Sequence, residues 1–224
     1  MARGRLIYFA GIDGSGKTTQ AERAVAERLQ SGESWAYRWV RWEPAVTGPL
    51  MGLARRLLTR GKGGERPADD PGHAEFVAAK RSVFRQKWRR DLWATIVLIE
   101  YIPQMAWRLL PALWSGRTVV CDRYLPDVWV DLAMNFDEGF AGVQRLSRHP
   151  LCRCFPRPDH MLLLELPAQL GWERKQDGTP LAYLEEREHL YTGLTRLIPA
   201  SIVDATAPLD DVATAVRDAL ASLD

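Results

Sequence analysis

Three cysteines in 224 residues, Cys121, Cys152 and Cys154, are too few and of the wrong parity for a disulfide framework. One lies in an apparent core strand, so reduced thiols in a cytoplasm are expected. No apolar run approaches the about 18 residues that a membrane span needs, and no membrane partner is expected. Met1–Arg5 leads straight into a strand-like segment, so a signal peptide is not expected either. Charge imbalance is missing as well: 30 Lys and Arg against 28 Asp and Glu leave +2, which makes nucleic acid an unlikely partner. Histidine is scarce, and His149 with Cys152 and Cys154, lacking a second ligand pair, makes a poor zinc site. Internal repeats are absent, and residues 60–73 are the one tract without periodicity. What remains, 46% hydrophobic and 26% charged, is an ordinary globular mix of one-domain length. Residues 1–224 are read as a single domain with a mobile loop at about 60–73.

Strand-like and helix-like segments alternate. Strands are expected at Leu6–Ala10, Trp35–Val40, Arg117–Asp122, Met161–Leu166 and Ser201–Asp204. Helices are expected at 19–29, at Pro49–Leu58, at about Ala74–Arg90, and from Asp91 to Trp114 with a kink or break at Pro103 and Pro111. Further helices follow over 126–149, to about Arg174, over 181–194 and over Leu209–Leu223. The nine tryptophans fall mostly at helical spacings and read as packing. This rhythm predicts an α/β protein with a parallel sheet, helices on both faces, and ligands at the carboxyl ends of the strands.

Residues 11–18, Gly-Ile-Asp-Gly-Ser-Gly-Lys-Thr, form a complete phosphate-binding loop between the first strand and first helix. Gly11, Gly14 and Gly16 let main-chain N–H groups turn inward around a polyphosphate, and the helix N-terminus adds its positive dipole end. Lys17 can reach the outer phosphates, and Thr18 can take a place on Mg2+. Binding of a nucleoside triphosphate is the implied function. Asp122 ends a strand at the same sheet edge, where it can hold a water on Mg2+, and Arg123 can neutralise a transferring phosphoryl group. The alternative is an acid that caps a turn and an Arg in a salt bridge. Lys80, Arg81, Arg85, Lys87, Arg89 and Arg90, interleaved with Phe84 and Trp88, read as the solvated face of an amphipathic helix.

The ordered set Gly11 to Gln20, Trp42-Glu43-Pro44 with Thr47, Pro111-Ala112-Leu113 with Gly116, Asp122-Arg123-Tyr124, and Asp204 to Leu209 resembles thymidylate kinase. The resemblance covers most of the chain. It implies a doubly wound five-stranded sheet of the P-loop NTPase/kinase type, paired as a homodimer, that moves the γ-phosphoryl of ATP to a nucleoside monophosphate such as dTMP. On that reading Gly14, Ser15, Gly16, Lys17, Thr18 and Thr19 hold the ATP phosphates, and Ala205, Thr206 and Pro208 border the adenine. Thr18 and Asp122 organise Mg2+, Arg123 faces the incoming phosphate, and Asp13 lies towards the acceptor. Because Ser15 is neutral where some members carry an arginine, the transition-state cation should come from a lid at about 174–188. Arg174 is the choice there, with Lys175 and Arg187 as the other candidates.

The acceptor side departs from the family. Trp42 replaces the Arg of an Arg-Glu-Pro element. Counting back from Asp122 without gaps puts the base-stacking Phe on Val97 and the base-reading Arg on Tyr101. Asp127 and Asp131 stand where Ser/Thr and Tyr are usual and are expected to make the pocket less welcoming to a dianion. A slip in the count is the alternative. Deoxynucleoside kinases carry a similar Glu-Pro-Val element, so Glu43 is also a candidate base for a nucleoside hydroxyl. A nucleotide-binding module without phosphoryl transfer is the reading from a different class.

Overall fold

A computed structural model describes residues 3–45, 47–48, 84–175 and 178–223. The expected helix Pro49–Leu58, the loop 60–73 and most of the expected helix 74–90 lie outside the described residues. The five strands are β1 (Leu6–Ala10), β2 (Trp35–Trp39), β3 (Thr118–Asp122), β4 (His160–Glu165) and β5 (Ala200–Asp204). All neighbours pair in parallel, in the order β2-β3-β1-β4-β5. Each of these strands was legible to within two residues, because a strand covered on both sides reads as a short unbroken apolar run. All five residues of β1 are buried at the sheet's centre.

The helices are α1 (Lys17–Gln30), α2 (Lys87–Trp114), α3 (Leu125–Phe136), α4 (Gly139–Ser147), α5 (Ala168–Lys175), α6 (Leu181–Leu194) and α7 (Leu209–Ala221). A 3-10 turn, Pro150–Cys154, follows α4. From β1 the chain moves one way across the sheet to β2, then returns past β3 and β1 to β4 and β5. Right-handed crossovers therefore put α1 on one face and α2 to α6 on the other. The packing agrees: α1 touches α7, whereas α6 touches both α3 and α4. The direction reverses beside β1, which opens a crevice at the carboxyl ends of β1 and β3.

The expected break near Pro103 and Pro111 does not occur, and neither does the expected boundary at Arg90. One helix runs through both prolines. Both lie on the solvent side, as do Ile99 and Trp107, whose carbonyls lose their helical partners to the proline rings. The opposite face of α2, with Val97, Leu98, Tyr101, Met105 and Leu109, is sealed in the core.

Candidate functional site

The phosphate loop leaves β1 and enters α1 through Gly16, whose φ of 78° is left-handed. Gly14 is left-handed too, with φ 88°, and a Cβ there would lie 2.9 Å from the carbonyl oxygen of Gly171 in α5. A Cβ on Gly171 would in turn meet the carbonyl oxygen of Asp13 at 2.9 Å. Helix α5 thus lies backbone to backbone on the loop, a contact that the sequence reading missed. Lys17 is buried; its Nζ reaches the Ile12 carbonyl at 3.2 Å and Asp13 Oδ1 at 3.3 Å. Burial, helped by Arg123, pushes the Lys17 ammonium below its ordinary value, while Asp13 works against that fall.

Asp13 is the electrostatic centre of the site. Arg123 Nη2 lies 2.5 Å from Oδ1, Lys17 Nζ 3.3 Å from Oδ1, and Lys175 Nζ 3.4 Å from Oδ2. Burial opposes charge on this carboxyl, yet Lys17, Arg123, Arg187 and Lys175 together hold it well below the usual carboxylate range. Three cations around one carboxylate at the mouth of a phosphate loop form an arrangement suited to an anion of higher charge.

Register sets the next acid. Asp122 pairs with Phe9 across β1 and β3, which brings it beside the loop. Its Oδ2 accepts from Thr18 Oγ1 at 2.5 Å and from the Tyr37 hydroxyl at 3.1 Å. Its Oδ1 is buried without a partner. A buried carboxylate oxygen left unsatisfied beside a threonine hydroxyl is the donor set that a magnesium–phosphate site requires. Arg123 follows with φ 64°, an uncommon left-handed conformation for arginine, of the kind concentrated at functional sites.

The loop after β5, expected to border the adenine, starts at Ala205, whose N–H reaches the Glu165 carbonyl at 2.8 Å, and ends at Pro208, which caps α7. Arg174 Nη1 donates to the Ala205 carbonyl at 3.1 Å and to Gly14 at 3.4 Å, and its Nη2 donates to Thr206 at 3.4 Å. Arg174 therefore joins the phosphate loop to the loop after β5, while its neighbour Lys175 reaches Asp13. Thr19 is exposed in the first turn of α1, and Ser15 is buried with its hydroxyl unpartnered. Arg187 is not free for phosphate: it is buried and paired with Asp131 at 2.6 Å.

On the acceptor side the count along α2 needs correction. Val97 and Tyr101 are core residues without exposed surface, and the Tyr101 hydroxyl donates to the Val40 carbonyl while its ring lies against Phe155. The polar face of α2 carries Glu100, Gln104 and Arg108 instead, and these pin the segment after β2. Glu100 accepts from Thr47 Oγ1 at 2.7 Å. Gln104 accepts the Glu43 N–H at 3.0 Å and donates to the Glu43 carbonyl at 2.8 Å. Arg108 pairs with the Glu43 carboxylate at 3.1 Å and donates to the Arg41 carbonyl at 3.1 Å. The carboxylate once expected as a base is thus committed to an arginine. The i, i+4, i+8 spacing of these three polar residues was the available signal. Asp127, expected to repel a dianion, is buried among hydroxyl, amide and guanidinium donors and does not face the pocket.

Among the described residues no cluster of His, Cys, Asp and Glu is arranged to hold a metal, and no helix is long and apolar enough to cross a membrane.

A family model described as thymidylate kinase matches residues 9–216. A thymidylate kinase of Alkalilimnicola ehrlichii is 29% identical over 99% of this chain and 94% of the relative. One from Desulfosudis oleivorans is 30% identical over 92% of each. A probable thymidylate kinase of Pyrococcus horikoshii is 28% identical over 94% of this chain and 92% of its own length.

Proposed function

This chain belongs to the thymidylate kinase family and is an ATP-dependent nucleotide kinase, and we propose that its acceptor is dTMP. The observation that supports this most is the convergence of Lys17, Arg123 and Lys175 on Asp13 beside the phosphate loop. A phosphate oxygen of dTMP attacks the γ-phosphorus of ATP, the bond to the bridging oxygen breaks, and dTDP and ADP leave. The attacking oxygen is already ionised, so no general base is required and Glu43 is free to serve as a structural anchor. Catalysis then rests on alignment and on charge neutralisation.

In this reading the main-chain amides of Gly14 to Thr19 cradle the ATP phosphates, and Lys17 bridges the outer two. Ala205 to Pro208 border the adenine, with Arg174 fastening that loop to the phosphate loop. Lys175, rather than Arg174 or Arg187, supplies the lid cation, because its ammonium already reaches the centre. Arg123 meets the acceptor phosphate, and Asp13 lies towards the acceptor sugar. Thr18 and Asp122 would hold Mg2+, whose chemistry is to neutralise charge on the β- and γ-phosphates.

The reading extends to assembly and place. Trp88, Leu92, Ile99, Trp107 and Trp114 form an exposed apolar stripe along α2, with Trp107 83% exposed. A second copy packed on this stripe makes the homodimer. Free cysteines at 121, 152 and 154 suit a reducing cytoplasm. Residues 1–224 are read as one kinase domain. The test is coupled ADP release across dTMP, dUMP, dCMP and nucleosides. Turnover is expected with dTMP, and ATP binding without any acceptor-stimulated ADP release would overturn the proposal.

A further inference from the structure

Behind Arg123 lies a buried polar network that the reaction described above does not use. The Asp127 carboxylate receives the Tyr8 hydroxyl at 2.8 Å and the Tyr124 N–H at 2.8 Å on Oδ2, and the Tyr191 hydroxyl at 2.5 Å on Oδ1. Tyr191 has one proton to donate, which goes to Asp127, and its oxygen accepts from Arg187 Nη2 at 2.8 Å. Arg123 Nη1 stands 3.4 Å from both Asp127 Oδ1 and the Tyr191 oxygen. At the outer end, Arg187 Nη1 donates to Asp131 at 2.6 Å and to the Tyr183 hydroxyl at 2.7 Å. The chain of contacts thus runs from the first turn of α6, through α3, to the guanidinium that faces the acceptor.

Burying Asp127 and Arg187 with the phenols of Tyr8 and Tyr191 costs free energy unless the set is placed with care. A simpler apolar contact would join α6 to α3 equally well. What the polar set adds is direction. Asp13 alone holds only one edge of the Arg123 guanidinium, and that partner stands where the acceptor is to bind. The second edge is fixed by Asp127 and Tyr191, which no ligand reaches, since both are buried. Asp127 also grips the amide directly after Arg123, where the backbone is left-handed.

We infer that Tyr191, held by Arg187, is a positioning residue for Arg123, so that acceptor recognition depends on the seating of α6 against α3. The inference rests on the reading of Arg123 as the acceptor-phosphate group. In Tyr191→Phe the ring packing stays and the hydroxyl goes, leaving Asp127 one donor short and Arg123 with one rear contact, to Asp127, instead of two.

The experiment compares wild type, Tyr191→Phe, Arg123→Lys and the double variant by steady-state kinetics, and follows the Arg123 side-chain N–H resonance by NMR. For Tyr191→Phe, KM for dTMP should rise about tenfold, the loss expected for a hydrogen bond to a charged network, with KM for ATP unchanged. In the Arg123→Lys background the same substitution should add less than about twofold, because coupled sites are not additive. The Arg123 resonance, identified by its loss in Arg123→Lys, should broaden in Tyr191→Phe. Additive kinetic effects, or a lowered Tm with unchanged dTMP kinetics, would overturn the inference. Should wild type not use dTMP, the acceptor assignment falls, and an Arg123 resonance unchanged in Tyr191→Phe would still overturn the positioning role. If Tyr191→Phe fails to fold, Asp131→Asn removes the half-exposed outer partner of Arg187 and should shift the same readouts in the same direction by less.

Discussion

The donor and acceptor halves of the site are built by different means. On the proposed reading residues 11–19 and 205–208 would meet a nucleotide mainly through backbone, in contiguous stretches whose conformation their own sequence dictates. The proposed acceptor half is assembled from Arg41, Glu43 and Thr47, the polar face of α2, Arg123 to Asp131, and Tyr183 to Tyr191. Its side chains belong to separate elements and face one another only after the sheet has formed. A backbone-built site carries its geometry in a motif. A side-chain-built site carries it in packing.

Four measurements would break or sharpen this contrast. The largest effect is expected behind the acceptor half. Asp127→Asn leaves Arg123, Tyr8 and Tyr191 around a neutral amide and should lower stability by about 3–5 kcal/mol, as for a buried ion pair stripped of one partner. Burial opposes the Asp127 charge, but Arg123, Tyr191, the Tyr124 amide and Tyr8 hold its carboxyl below the ordinary range. Its contribution is therefore complete above the unfolded value of about 3.9 and is lost as pH falls through the lowered native value. The Tm gap between wild type and Asp127→Asn should be widest above about pH 5 and close below about pH 4.

On the donor side, Lys17→Ala should lower kcat by on the order of 10^2–10^3-fold, the loss typical of one preorganised transition-state donor. Retention of both turnover and ATP affinity would remove the donor half altogether. Lys175→Ala should reduce kcat by roughly tenfold or more with little change in the KM for ATP, whereas Arg174→Ala should mainly raise that KM. The opposite pattern would return the lid role to Arg174. The smallest effect belongs to Glu100→Ala, which releases Thr47 from α2. It should raise KM for dTMP by about threefold to tenfold, in line with one hydrogen bond, and leave ATP untouched. A change in ATP kinetics would show that the two halves are not separable.

The same contrast explains what could be read in advance. The strands, the phosphate loop and Asp122 were legible because short apolar runs and a glycine pattern fix local geometry. Helix α6 is legible over 181–194 and spans Leu181–Leu194. Val97 and Tyr101 were misplaced because a helix turns about 100° per residue. A count that lands one position beyond Glu100 points into the core instead of towards Glu43 and Thr47. Asp127 looked like a charge in a pocket because nothing near it in the chain discloses Tyr191, 64 positions away. Two prolines suggested a break in α2 because local preference cannot see that both fall on the side of the helix turned away from the core.

The close approach of Gly14 and Gly171 has a consequence for evolution as well as for catalysis. Arg174 and Lys175 lie one helical turn beyond that point of contact, so the fulcrum of α5 sets where both cations arrive. A methyl group at position 14 would act as a wedge, tilting the helix outward and drawing both charges away before any phosphate-binding amide was disturbed. That glycine therefore answers to two masters: the loop that contains it and a helix more than 150 residues downstream.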